Sequence, residues 1–140
     1  MPERRPDRTL GPIGAYSHDT FWDWAAKGEL RLQKCGSCGE IAWPVVAACE
    51  TCGSAQLEWA RMSGRGSLVS WCTFERDYNR GMLPVPWDTV LVELEEGALF
   101  IGNPQGFSWP EMTVGMPVEV AFVAAEDAAG PFSLPVFRKA

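Results

Sequence analysis

Two Cys-x-x-Cys pairs, Cys35-Gly-Ser-Cys38 and Cys49-Glu-Thr-Cys52, stand ten residues apart and constrain this chain more than anything else in it. A disulfide inside either pair would close a very small, strained loop, whereas two such turns offer four thiolates to one tetrahedral ion. The pattern predicts a ribbon of two knuckles with Cys35, Cys38, Cys49 and Cys52 as ligands. Zinc is the expected metal, and iron in the same four-thiolate cage is the chemical rival. With every position filled by protein no place remains for water, so the site is structural rather than hydrolytic.

A ribbon this small has little core of its own, so the flanking sequence must supply one. The 140 residues are 46% hydrophobic and 21% charged, the balance of a soluble globular chain. No apolar run approaches the roughly 20 residues that a bilayer span needs, and residues 1–8 have no apolar segment behind their charges. A cytoplasmic protein with no membrane partner is expected. Residues 1–19, rich in Pro and Gly, read as a flexible arm. Residues 20–29 read as a short helix, with Thr20 as N-cap, Asp23 three residues on, and Phe21, Trp22 and Trp24 before Gly28. Two helical turns do not persist alone, so this aromatic face must dock, either on the chain's own core or in a partner's groove.

The ribbon occupies 30–62, entered by the alternating run from Glu29 to Lys34 and left through Leu57-Glu-Trp59. Beyond Ser63-Gly-Arg-Gly66 the pattern changes to five β runs, at 67–75, 88–94, 98–102, 118–123 and 132–138. A Ser108-Trp-Pro-Glu111 helical turn stands between the third and fourth. Five strands with a small helix at that place describe an OB-type barrel over 63–140, which makes the fold mainly β. The segment from Arg76 to Trp87 is too long for a hairpin turn and is a candidate functional loop.

Charge narrows the function. The net charge is −6, residues 61–80 carry a net +2, and residues 81–127 contain eight acids with no Lys or Arg. Backbone binding of nucleic acid draws on Lys and Arg, so this half-chain argues against it. Arg61, Arg65, Arg76 and Arg80 are the candidate contacts for an anionic ligand or an acidic partner. Catalytic residues are not expected: the one histidine, His18, lies in the arm, and Cys72 has no basic residue beside it, so a packed, inert thiol is the simpler reading. Gly64-Arg-Gly66 reads either as an anion contact or as the bend between two small domains. Glu93, Glu95 and Glu96 read as a solvated turn.

The ordered motifs together resemble one bacterial and archaeal family. They are Phe21-Trp22, Gly28-Glu-Leu-Arg-Leu-Gln-Lys-Cys35, Cys38-Gly39, Trp43-Pro44, Cys49, Cys52-Gly53-Ser54 and Leu57-Glu58-Trp59. Ser63-Gly-Arg-Gly66, Val90-Leu-Val-Glu-Leu94, Val114-Gly-Met-Pro-Val118 and Leu134-Pro-Val-Phe-Arg138 continue the series. The family joins an N-terminal helix, a rubredoxin-like zinc ribbon and an OB-fold, and was long catalogued as a domain of unknown function. The resemblance covers residues 21–138.

It implies a non-catalytic accessory subunit of a thiolase or thiolase-like aldolase acting on acyl-CoA thioesters, in aromatic or steroid degradation. Such a subunit would dock on a thiolase-fold catalytic partner in a heterotetramer and share its CoA thioester ligand. Phe21, Trp22 and Trp24 are then candidate docking residues. The rival readings are a stand-alone acyl-CoA-binding module, a nucleic-acid-binding zinc-ribbon/OB-fold module, and an iron redox protein.

Overall fold

The computed structural model describes residues 3–8, 12–13 and 16–140. In chain order the elements are β1 (Glu3–Arg4), β2 (Pro12–Ile13), β3 (Tyr16–Ser17), α1 (Asp19–Ala26), β4 (Arg31–Cys35), β5 (Ile41–Ala42), β6 (Leu57–Arg61), β7 (Arg65–Phe74), β8 (Trp87–Leu94), β9 (Leu99–Gly102), a 3-10 turn (Trp109–Glu111), β10 (Pro117–Asp127) and β11 (Gly130–Lys139). The fold is mostly strand with one short helix, as its alternating runs and turn residues predict. Among the described residues no helix is long and apolar enough to cross a membrane.

The helix starts one residue earlier than its sequence suggests. His18, not Thr20, is the N-cap, Asp19 places its charge in the first turn, and Thr20 and Asp23 lie within the helix. Gly28, at φ +76°, ends it, with Glu29 N–H reaching back to the Trp24 carbonyl. Three strands, in the order β5-β4-β6, form the ribbon sheet.

The five long strands close as an OB barrel. β7 pairs antiparallel with β8, β8 with β9, and β10 with β11, while Pro117–Glu119 of β10 meets Arg65–Ser67 of β7. The circuit is completed where Phe137 donates to the Asn103 carbonyl and accepts from Gln105 N–H. At the turn before β10, Ser108 N–H donates to the Glu111 carboxylate.

One hydrophobic core runs through all of this. Phe21 of the helix, Leu30, Leu32 and Met62 of the ribbon, and Leu68, Val90, Val92, Phe100 and Phe137 of the barrel belong to a single buried cluster. The connection at residues 62–64 is therefore a bend in the chain and not a break in packing. Gly64 sits there at φ +79°, where a Cβ would collide with Val120 Cγ1. Gly66 follows, and a Cβ on it would collide with the Glu93 carbonyl oxygen. Both glycines answer to close packing, and the neighbouring amides are occupied: Ser63 N–H donates to Glu96 and Arg65 N–H to Ser63 Oγ. The Gly-Arg-Gly segment is thus the bend, not an anion loop.

A bulge decides which way β7 faces. Its register against β8 shifts between Leu68 and Ser70, so Leu68 and Trp71 turn inward while Ser70, Cys72 and Phe74 turn out. Cys72 is consequently exposed, which corrects the expectation of a packed thiol.

Residues 3–8 of the arm lie against the barrel. β1 pairs in parallel with Ala125 and Glu126 of β10, Arg5 N–H donates to the Glu126 carbonyl, and Arg8 reaches Asp127 at 3.1 Å. Residues 1–2, 9–11 and 14–15 of the expected flexible arm lie outside the described residues.

Candidate metal centre

Local turn chemistry builds the two knuckles alike. Gly39 N–H donates to the Cys35 carbonyl and Cys35 N–H to the Glu40 carbonyl; in the second knuckle Gly53 N–H donates to Cys49 and Cys49 N–H to Ser54. Gln33, buried in β4, clamps the second knuckle's approach, accepting from Val46 N–H at 2.9 Å and donating to its carbonyl at 3.2 Å. The Ser37 and Ser54 hydroxyls bridge the knuckles at 3.0 Å.

These turns bring the Sγ atoms of Cys35, Cys38, Cys49 and Cys52 within 4.8 Å of one another. Cys35 to Cys52 and Cys38 to Cys49 both measure 3.6 Å. A regular tetrahedron with Zn–S near 2.3 Å would set its sulfurs about 3.8 Å apart, close to both of these separations. This is a four-cysteine zinc-ribbon site.

Its electrostatics show what the ion supplies. The Cys38 and Ser37 amides point at Cys35 and hold its thiol down to about 6. The Cys52 and Thr51 amides likewise lower Cys49. At Cys38 the Glu40 amide pulls the same way, but burial and the sulfurs of Cys49, Cys52 and Cys35 outweigh it and push the thiol up to about 12. Cys52 is also raised, the Ser54 amide being overcome by the Cys35 and Cys49 sulfurs and by burial. Without a cation the first cysteine of each pair ionises readily and the second resists. A divalent ion at the centre removes that conflict and ties the knuckles together.

The other candidate residues are dispersed. Phe21 is 2% exposed, with its ring 4.4 Å from Trp43 and 6.1 Å from Phe100, so it is committed within the chain and cannot reach a partner's groove. Trp22 meets Phe132 edge-on at 5.3 Å, and Trp24 lies under the Arg31 guanidinium at 3.8 Å. The four arginines do not form one surface. Arg61 pairs with Glu29 and Arg65 makes two bonds to Glu95 at the start of β7. Arg76 and Arg80 follow its far end, with the ten residues of the strand between the two pairs. Arg76 and Arg80 make no hydrogen bond or ion pair among the described residues.

One site had no signal in the sequence. Asp127, 1% exposed at its side chain, forms an ion pair with the Arg8 guanidinium and accepts from the backbone N–H groups of Arg8 and Ala129. The guanidinium also covers the rings of Phe132 and Trp22. The two residues stand 119 apart in the chain, beyond the reach of any local pattern.

Known proteins share both halves of this architecture. Residues 22–58 match the rubredoxin-like zinc ribbon domain of ChsH2, and residues 59–123 match the ChsH2 C-terminal OB-fold domain. The chain is 31% identical over 140 residues to a probable enoyl-CoA hydratase alpha subunit of Thermomonospora curvata, covering 99% of this chain and 42% of that protein. It is 30% identical over 122 residues to the 3-oxo-4,17-pregnadiene-20-carboxyl-CoA hydratase alpha subunit of Mycobacterium tuberculosis, covering 87% and 39%. The chain thus spans about two-fifths of the length of these relatives. Among solved structures it resembles a chain of the Ltp2-ChsH2(DUF35) aldolase with a TM-score of 0.78 and 26% identity, covering 92% of this chain and 98% of that one.

Proposed function

This chain belongs to the family that joins a ChsH2-type zinc ribbon to a ChsH2-type OB-fold, and from that premise we propose that it is a non-catalytic accessory subunit of an acyl-CoA-handling enzyme. It docks on a thiolase-fold catalytic subunit of the aldolase or thiolase kind and helps close the CoA-thioester pocket there. The observation that carries this reading is the extent of the structural match. The chain aligns with 98% of a chain of an aldolase complex, with a TM-score of 0.78.

The chemistry of the chain supports an accessory role. Zinc, when bound, supplies four thiolate bonds that hold the two knuckles rigid. Cys72 lies out on β7 with no histidine beside it, and the chain's one histidine caps α1. A nucleophile and its base are thus left to the partner. Of the four arginines, Arg76 and Arg80 are the pair left for the anionic CoA moiety or an acidic partner rim.

The test is mild affinity purification of the tagged chain from its native host, with mass spectrometry and a zinc assay on the same sample. The expected result is a thiolase-fold polypeptide in equal copy number and one zinc per chain. A lone zinc-loaded monomer that binds CoA esters in a calorimeter refutes the subunit reading and favours a stand-alone acyl-CoA-binding module. A hydratase-fold companion changes the partner class.

A further inference from the structure

The distal half of β7 is an open sheet edge. Among the described residues β7 pairs with β10 only through Arg65–Ser67, and beyond that its neighbour is β8 alone. Antiparallel pairing alternates, so every second residue turns its backbone groups away from the neighbouring strand. Leu68 turns away from β8, since its N–H and carbonyl meet Met116 and Gly115. Asp88, which lies opposite Thr73, gives its carbonyl to Asn103 on the other side of the sheet. With the bulge accounted for, Trp71 and Thr73 turn away from β8 as Leu68 does. Their N–H and carbonyl groups have no partner among the described residues.

Proteins blunt such edges with charge, proline or cover, because an unpaired β-prone run recruits another strand. This edge reads Val69-Ser-Trp-Cys-Thr-Phe74, six residues without a charge or a proline. Beside it, on the outer face of β7, β8 and β9, lies an apolar groove of about 210 Å³ lined by Ser70, Cys72, Thr89, Leu91 and Ile101. Ile101 is 64% exposed there. Just past the strand stand the unpaired Arg76 and Arg80.

We propose that the free edge of β7 is a strand-addition site. An extended segment of the catalytic subunit adds to it, paired to Trp71 and Thr73 through the backbone. Outward side chains of that segment stand beside Ser70 and Cys72, and a carboxylate at its end meets Arg76 or Arg80. The uncharged edge asks for an uncharged strand, and the two arginines beyond it ask for an acid. A second copy of this chain is disfavoured by like charge, since each carries −6. The inference rests on the accessory-subunit reading.

Amide hydrogen exchange on the purified complex, against the chain alone, tests it. The Trp71 and Thr73 amides exchange freely in the lone chain and slow by about 100-fold in the complex. Thr73→Pro removes one outward backbone donor, together with the Thr73 Oγ1 bond to Asp88, and lowers affinity for the identified catalytic subunit by about tenfold or more, while Thr73→Val, which loses only that side-chain bond, binds as wild type. Cys72→Lys sets a charge beside the added strand at an exposed position of β7 and does the same as Thr73→Pro. Zinc content and thermal midpoint are measured on all three variants to separate binding loss from misfolding.

A complex in which both amides remain unprotected, or Thr73→Pro and Cys72→Lys both bind as wild type, overturns the strand-addition site and leaves the subunit reading intact. A chain that emerges alone overturns both. A symmetric dimer with protected edge amides replaces the catalytic subunit by a second copy and overturns the occupant proposed here.

Discussion

Truncating Phe21 to alanine measures how much of α1 is committed to the chain's own core. Phe21 is 2% exposed, with its ring 4.4 Å from Trp43, 4.9 Å from Trp22 and 6.1 Å from Phe100. Returning a buried phenyl ring to water costs about 1.5–3 kcal/mol, and the cavity left among three aromatic neighbours raises the total to about 3–5 kcal/mol. The helix cannot hold itself in place meanwhile, since eight residues are below the length that persists undocked. At about 3–4 °C per kcal/mol for a chain of this size, the melting midpoint falls by about 10–20 °C. Thermal unfolding of the zinc-loaded chain by near-UV circular dichroism reads this directly, and Phe21→Leu, which refills part of the space, recovers about half of the loss. A midpoint within about 3 °C of wild type would refute the reasoning, because a ring held for a partner's groove costs the isolated chain almost nothing.

The bend, the buried carboxylate and the metal each respond to their own perturbation. Gly66→Ala drives a Cβ into the Glu93 carbonyl oxygen and to 2.8 Å from Val92 Cγ1. Spreading β7 from β8 in this way lowers stability by about 2–3 kcal/mol in urea titration, and an unchanged midpoint counts against so close an approach of the two strands. Burial alone would raise the Asp127 carboxyl, but the Arg8 and Ala129 amides, the Arg8 guanidinium and the Gly130 amide together hold it below its ordinary value. A lowered group stabilises above its unfolded value, near pH 4, and that share is lost as pH falls through the lower folded value. Asp127→Asn therefore flattens the acid limb of the midpoint-against-pH curve, and a limb of unchanged steepness excludes Asp127 as its source. Native mass spectrometry finds one zinc in wild type and in Cys72→Ser, and none held stably in Cys49→Ser; zinc retained by Cys49→Ser would break the four-thiolate assignment.

The ribbon was legible because metal-ligand geometry is local. Each knuckle is closed by residues within five positions of one another, and the cysteines and glycines that do it are spelled out in order. The barrel strands were legible through alternation and turn residues, although β7 begins earlier and β10 and β11 run further than their apolar patterns. What stayed hidden has a common cause in three dimensions. The bulge after Leu68 reverses the faces of β7, so alternation counted from Leu68 puts Cys72 inside when it lies outside. Four arginines close in sequence looked like one surface, yet a strand between them carries the two pairs to opposite ends. The Arg8–Asp127 pair has no local signature at all. The helix cap moved by two residues because docking of Phe21 and Ala25, rather than the capping preference of Thr20, fixes where α1 begins.

The distances along the chain that these contacts span also set an order of assembly. The thiols that meet in the ribbon are separated by 11 and 17 residues, so an ion can be captured as soon as that short stretch exists. Seating of α1 waits far longer, because its rings need Phe100 and Phe132, and the Arg8–Asp127 contact closes a span of 119 residues. Closing a longer span adds little to the equilibrium cost, which grows only with the logarithm of length, but it delays the event. A chain emerging from synthesis would therefore carry a metallated knuckle while its first helix still exposed Phe21, Trp22 and Trp24. That interval is when those aromatics are open to a chaperone or to misassociation, and it ends as the last hairpin arrives to cover them.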